Sequence, residues 1–280
     1  MLGHVLCDHC HAKGDMVFAY DRQALDISDP SAVLQATQND KPDVIINCAA
    51  WTDVDGCELD SKRAFAVNAL GPENLANASR AQGSQFITVS TDYVFDGAMD
   101  GFYTQRDHPV PISVYGVSKL EGEYRAQRAN ADTIIVRTGF VFGPKGRNFL
   151  STIVDRARRS EKIAGISDAY GTPTYAPDLA ARLKLLAELG LPGTFHVVNS
   201  GPGVSYEEFA RVALTAAGFD AGNLQSVKMS SLQRPAPRPR NSRLKCLLSE
   251  AIGLPPLQPW EDAVRDFVAL DAKDRATAHN

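Results

Sequence analysis

The most useful features of this 280-residue chain are first the ones it lacks. No apolar run is long enough to span a bilayer. Near the N-terminus Asp8, His9, His11 and Lys13 interrupt any apolar core, so a secretory signal is not expected there. A basic surplus is also missing: the formal net charge is −4, which argues against a nucleic-acid partner. The five cysteines are odd in number and irregularly spaced. A disulfide framework is therefore not expected, and a reducing cytoplasm suits the chain better. Cys7-Asp8-His9-Cys10-His11 spells a haem-attachment motif, but no export signal or axial partner accompanies it. Nor do Cys48, Cys57 and Cys246 form the second CxxC that a zinc site would want. The stretch reads as a helix with one cysteine partly buried.

What is present is an ordinary globular composition, 44% apolar and 22% charged, in a chain long enough for a substantial core. Met16–Tyr20 reads as a strand. Ser28, Asp29 and Pro30 open a helix that continues to Asp40. VIINCAA (44–50), QFITVS (85–90) and TIIVRTGFVF (133–142) are continuous apolar runs of the kind a parallel strand buried on both faces produces. Between them, Ser61–Gln82 and Tyr115–Asn130 read as helices. This alternation predicts an α/β fold built on a doubly wound parallel sheet. Beyond Asn148 the rhythm loosens. Helices are expected over 149–160, over 206–217 with Ser205 as cap, and over 260–269, and a strand over 194–198. A proline-rich loop covers 234–242, and the tail after Asp271 is expected to fray. There is no internal repeat.

The chemistry concentrates in Tyr115-Gly-Val-Ser-Lys119, preceded by Thr91 in VSTDYVF. A tyrosine and a lysine four apart project from one helix face. The ammonium is expected to favour the phenolate and lower the tyrosine's pKa toward the working range. Such a phenol can pass a proton to a carbonyl oxygen as hydride reaches the carbon. Thr91, at a strand end where such sheets bind ligands, can hold the same oxygen. YxxxK alone is weak, because a charged helix contains it by chance. Following NCAAWTDVD and VSTDYVFDG in this order, it is specific.

These stretches resemble the dTDP-4-dehydrorhamnose reductase family of extended short-chain dehydrogenases/reductases. The similarity is carried by PDVIINCAAWTDVDGCE, FAVNALGPENLA, VSTDYVFDG, PISVYGVSKLEGE, IIVRTGFVFG, NFL, DAYGTPT with Asp178-Leu179, and RPRNSRL, spread from about residue 3 to residue 265. The resemblance implies a Rossmann-like domain over 1–147, completed by about 173–200, and a smaller substrate-binding lobe from 148–172 and 201–280. It implies NADPH as cofactor, with NADH open, and a nucleotide-sugar substrate. Thr91, Tyr115 and Lys119 match the catalytic trio. Leu2, Gly3, Arg22, Asp26, Ile27, Cys48, Ala49 and Ala50 fall on the cofactor side. Asp92, Tyr93, Phe140, Asn148, Arg238 and Arg240 fall on the substrate side. Asn68 matches an asparagine supporting the cofactor, or else makes a helix-terminal hydrogen bond. Arg22 could pair with a 2′-phosphate, while Asp21 beside it argues for NAD. The arginine forks of RPRNSRL suit a diphosphate. Nothing in the residue pattern supports magnesium or another metal, and a homodimer is the expected assembly.

Two other readings stay open. One is a regulatory, non-catalytic subunit of the methionine adenosyltransferase type, and the other an epimerase or dehydratase of the same extended family. The intact trio speaks against the first, and Tyr93 stands where a dehydratase would want a glutamate. The family's opening strand and most of its glycine-rich turn do not precede Leu2-Gly3. A chain beginning at Met1 is thus expected to fold poorly and bind dinucleotide badly. Met1 is expected to be the internal methionine of a GxxGMLG turn.

Overall fold

A computed structural model describes residues 1–278. Its main sheet has four parallel strands, Val44–Asn47 (β1), Gln85–Thr91 (β2), Ile134–Thr138 (β3) and Gly193–His196, each hydrogen-bonded to the next in chain order. The β2–β3 register runs from Ile87↔Ile134 to Thr91↔Thr138. Every residue of β3 is buried, as expected for a strand covered on both faces.

The covering helices define the two layers. On one face Leu2–Ala12 (α1) and Ala176–Leu189 (α8) bring Val5, Leu6, Leu179, Leu183 and Leu186 against Ile87, Ile134, Val136 and Phe195. On the other, Pro30–Asp40 (α2), Gly71–Gln82 (α5) and Val114–Ala129 (α6) pack Val33, Leu75, Ala76 and Ala126 around Phe86. Asp29 caps α2 by accepting from the Ser31 and Ala32 amides, with Pro30 at the first turn. The CDHCH stretch lies within α1, with Cys7 and Cys10 half-buried and free.

A second core gathers the later elements. Phe149–Arg158 (α7), Tyr206–Ala216 (α9) and a final helix, Trp260–Ala278, enclose Phe142, Leu150, Phe209, Val264 and Phe267. That last helix continues past Asp271, where the sequence predicts fraying, because Asp271 takes ion pairs from Arg158 and Arg275. Residues 279 and 280 of the expected tail lie outside the described residues.

Three further expectations need correction. Met16–Tyr20 is not a strand. Met16, Phe18 and Tyr20 stand in solvent, Met16 at 83% exposure, and among the described residues no ladder partner lies beside them, so the apolar pattern has nothing to pair with. The run 44–50 yields only the four-residue β1, partly exposed because it forms the sheet's edge. The predicted helix over 61–82 is broken by a π turn, Ala66–Leu70, between Ser61–Phe65 (α4) and α5. That turn brings the Asn68 carbonyl against Gly122 of α6, where an added Cβ would lie 2.1 Å from the oxygen.

Candidate active site

At its carboxyl end β2 passes into a single 3₁₀ turn, Asp92–Val94, capped by Thr91. The Thr91 Oγ1 accepts from the Tyr93 amide at 3.1 Å and donates to Asp92 Oδ1 at 3.1 Å. The other carboxylate oxygen, Oδ2, accepts a short hydrogen bond from Ser242, which arrives from the loop before Leu247. Gly139 makes room for this carboxylate, since a Cβ there would lie 2.5 Å from it. Asp92 is 3% exposed. Burial pushes its carboxyl up to about 6, against the opposing pull of the Ser242 and Thr91 hydrogen bonds.

Helix α6 starts where Ser113 accepts from the Gly116 amide at 3.2 Å. Gly116 presses on the 3₁₀ turn, with a hypothetical Cβ 2.3 Å from the Tyr93 carbonyl. Tyr115 and Lys119, one turn apart, are both buried toward the strand ends. The Tyr115 ring meets Tyr93 edge-on, centroids 5.9 Å apart. Lys119 Nζ donates to the Val89 carbonyl at 2.7 Å. Burial pulls its ammonium down to about 8, with Glu123 acting the other way. The expected acidification of Tyr115 is not found. Desolvation raises its phenol well above the ordinary value, and the Thr91 hydroxyl only partly opposes this. Behind the pair, Glu123 takes a bidentate contact from Arg137 and a 2.5 Å hydrogen bond from Ser90, all buried.

The expected cofactor side is assembled around the loop that follows β1. Cys48 lies against α1, and a Cβ on Gly3 would stand 3.8 Å from that of Cys48. Burial pushes the Cys48 thiol up to about 12. The Ala49 amide donates to Asn47 Oδ1 at 3.0 Å, and Ala50 follows half-buried. Asn68 bridges this loop to α6. Its side chain exchanges hydrogen bonds with the Trp51 backbone at 2.8 and 3.1 Å and donates to Ser118 at 3.1 Å. The leading turn of α1 has no side-chain cap, so its amides stay available to an anion, which suits a dinucleotide pyrophosphate. The Leu2 side chain packs into the core beside them. Asp21 accepts from its own turn, the Gln23 and Ala24 amides at 2.9 Å, while Arg22 is exposed. This division suits a 2′-phosphate. Asp26, bonded to Ser28, sits below its ordinary pKa. Ile27 is buried against Gly71, and its carbonyl accepts from Asn74 at 3.0 Å.

The expected substrate residues divide. Tyr93, Phe140 and Arg238 line a cleft together with Tyr170, Tyr206 and Arg234. Phe140 adopts φ 47° and stacks on Tyr206, with centroids 4.1 Å apart. Asn148 lies elsewhere. It caps α7 and donates to the Gly143 and Gly146 carbonyls at 2.8 and 3.2 Å, so its amide serves the turn. Arg240 is exposed and not among the cleft residues. Arg238 is at the cleft, but its fork is taken by Asp55, which holds that carboxyl at about 2. Arg234 and Ser242 are additions. The proline-rich loop signals cations, but spacing alone gives no reason to choose among Arg234, Arg238 and Arg240.

Comparison with known proteins gives the family. A family model described as "RmlD substrate binding domain" matches residues 1–272. The dTDP-4-dehydrorhamnose reductase of Mycolicibacterium smegmatis is 39% identical over 273 residues, covering 96% of this chain and 82% of that protein. The solved dTDP-4-dehydrorhamnose reductase of Clostridium acetobutylicum superposes with a TM-score of 0.92 at 34% identity, covering 96% of this chain and 95% of its own. The Bacillus anthracis enzyme, solved in complex with NADP, also has a TM-score of 0.92, at 33% identity, covering 95% and 94%. Matched along nearly its whole length, the chain belongs to the dTDP-4-dehydrorhamnose reductase family.

Proposed function

We propose that this chain reduces the C4 ketone of dTDP-4-dehydro-L-rhamnose to dTDP-L-rhamnose, with NADPH as reductant. One observation carries the reading. Thr91, Tyr115 and Lys119 converge, all buried, where β2 ends beside an aromatic cleft bearing arginines. Bound NADPH supplies the hydride. Tyr115, kept protonated by its burial, gives its proton to the ketone oxygen as the alcohol forms. Thr91 orients that oxygen. Lys119, anchored by the Val89 carbonyl, places a cation beneath the phenol to stabilise the phenolate left behind. Phe140 and Tyr206 offer stacked rings to the sugar side of the cleft, and Arg234 offers a guanidinium to the diphosphate.

The uncapped start of α1 at Leu2-Gly3, the Cys48–Ala50 loop and Arg22 would hold the cofactor. In the same reading, residues 1–147 with 173–200 form the dinucleotide half, and 148–172 with 201–280 the substrate lobe. The packing of α7, α9 and the last helix around one shared core supports that division, with Phe142 and Tyr175 joining it from the dinucleotide half. The reaction is assigned to the cytoplasm and the working assembly to a homodimer. The test is NADPH oxidation by the purified chain given dTDP-4-dehydro-L-rhamnose. Stoichiometric conversion to dTDP-L-rhamnose is expected. No NADPH consumption, with a co-purifying partner enzyme, would favour the regulatory-subunit reading instead.

A further inference from the structure

A buried carboxylate beside a catalytic hydroxyl needs a reason, because an isolated charge there is costly. Each oxygen of Asp92 has a hydroxyl partner, and the Asp92 and Tyr93 backbone amides also favour its ionised form. Oδ1 faces Thr91 Oγ1 at 3.1 Å, and Oδ2 faces Ser242, whose hydroxyl is itself buried and has only the Tyr170 carbonyl, at 3.4 Å, as a second acceptor. Gly139 closes the remaining side. The titratable groups that face the carboxyl are phenols, namely Tyr93 next in sequence, Tyr115 from α6 and Tyr206 from α9. Each is pushed upward by burial and stays neutral through the working range. Arg234 and Arg238 act on Tyr93 from the cleft.

A hydroxyl has one hydrogen. Both Asp92 Oδ1 and the Tyr115 phenol lie within reach of the Thr91 hydrogen, and one Thr91 lone pair already accepts from the Tyr93 amide. While Asp92 is ionised and Tyr115 neutral, the carboxylate is the stronger acceptor, so Thr91 spends its hydrogen on Oδ1 and presents its other lone pair, which suits an alcohol and not a ketone. Resting on the reduction proposed above, we propose that Asp92 and Ser242 are positioning residues that set which way the Thr91 hydroxyl points. Ser242 occupies Oδ2, so a proton on the carboxyl sits on Oδ1, is donated to Thr91 and frees the threonine's own hydrogen for the ketone oxygen.

Ketone reduction then favours the protonated carboxyl and alcohol oxidation the ionised one. The pH at which Asp92 titrates, pushed up to about 6, places the exchange near neutrality. Ser242 favours the ionised form by donating to it, and its position in the later loop ties this setting to the elements that line the cleft.

The experiment is isotope-edited infrared titration of protein labelled with ¹³C at the aspartate carboxyls. Wild type is compared with Ser242→Ala, and the Asp92 band is assigned by difference against Asp92→Asn. Loss of one charge-assisted hydrogen bond moves the Asp92 midpoint upward by about one pH unit in Ser242→Ala. The limb of reductive kcat that falls with rising pH moves upward with it, to a lower plateau, because without Ser242 part of the carboxyl carries its proton on Oδ2 and leaves the Thr91 hydrogen on Oδ1. An unmoved midpoint overturns the proposal, as does a midpoint that shifts while the kcat limb stays in place. Should the wild type oxidise no NADPH, the reduction itself fails, and the infrared midpoint alone still decides whether Ser242 sets the carboxyl.

Discussion

The guanidinium of Arg238 grips the carboxylate of Asp55 in a two-point fork, with Nη1 2.5 Å from Oδ1 and Nη2 2.8 Å from Oδ2. Asp55 also accepts from the Ala236 amide at 3.1 Å. One carboxylate on Val54–Leu59 (α3) thus fastens the proline-rich loop across the cleft. Asp55→Ala is expected to cost about 1 kcal/mol of stability, as a partly exposed pair should. It should also raise the KM for the sugar nucleotide several-fold more than it lowers kcat. The carboxyl's depressed pKa means that its contribution is complete above the ordinary carboxylate range and is lost as pH falls toward about 2. Urea unfolding at pH 7 and pH 3 measures this, and equal losses at both would refute it.

With Arg238 committed, Arg234 is the cleft's remaining guanidinium. Arg234→Ala should raise the KM for the sugar nucleotide ~10-fold or more, the scale of a lost charge-assisted hydrogen bond. Arg240→Ala should change it far less. Steady-state kinetics on both variants decides the matter, and the reverse order would return the diphosphate to Arg240.

Tyr115→Phe removes the proton donor and little volume. Turnover should fall by ~10²–10⁴-fold, while NADPH affinity, followed by cofactor fluorescence, stays near wild type. Retained turnover would remove Tyr115 from the mechanism.

Lys119 shows a conflict between stability and activity. Its pKa, about 8, lies below that of a free lysine. Between the two values the unfolded chain binds the extra proton, so stability rises as pH climbs from about 8 toward ~10.4. Lys119→Met should stabilise the protein at pH 7 by about 0.5–2 kcal/mol and abolish reduction. A melting temperature lower than wild type would contradict this.

The Arg137–Glu123 pair is buried, with side chains 8% and 2% exposed. Glu123→Ala leaves the guanidinium without its partner and should destabilise by about 3–5 kcal/mol. Replacing both residues with apolar ones should recover much of that loss. Chemical denaturation of the single and double variants separates a buried charge from a lost contact.

Much of this was legible in the sequence because it is local. The helix carrying Tyr115 and Lys119, the buried run of β3 and the Asp29 and Ser205 caps all follow from spacing within a few residues. The failures are all relational. Met16–Tyr20 has the composition of a strand, but a strand exists only against a neighbour. Asp55 and Arg238 stand 183 positions apart, and Asp92 and Ser242 stand 150 apart, so no spacing rule connects them. Asn148 falls on the substrate side by resemblance alone, and sequence gives no sign that its amide serves its own turn. The Tyr115 acidity was misjudged because a partner cation is visible in a sequence and desolvation is not.

At position 122 the backbone of α6 touches the Asn68 carbonyl with no space for a side chain. A single methyl group there would lever the whole helix outward and carry Tyr115 and Lys119 away from the strand ends. Mutational libraries that spare the reacting residues but vary this one would therefore return inert proteins, weakened as well where α6 leaves the core around Phe86. The chemistry of the site is thereby tied to an atom that glycine omits.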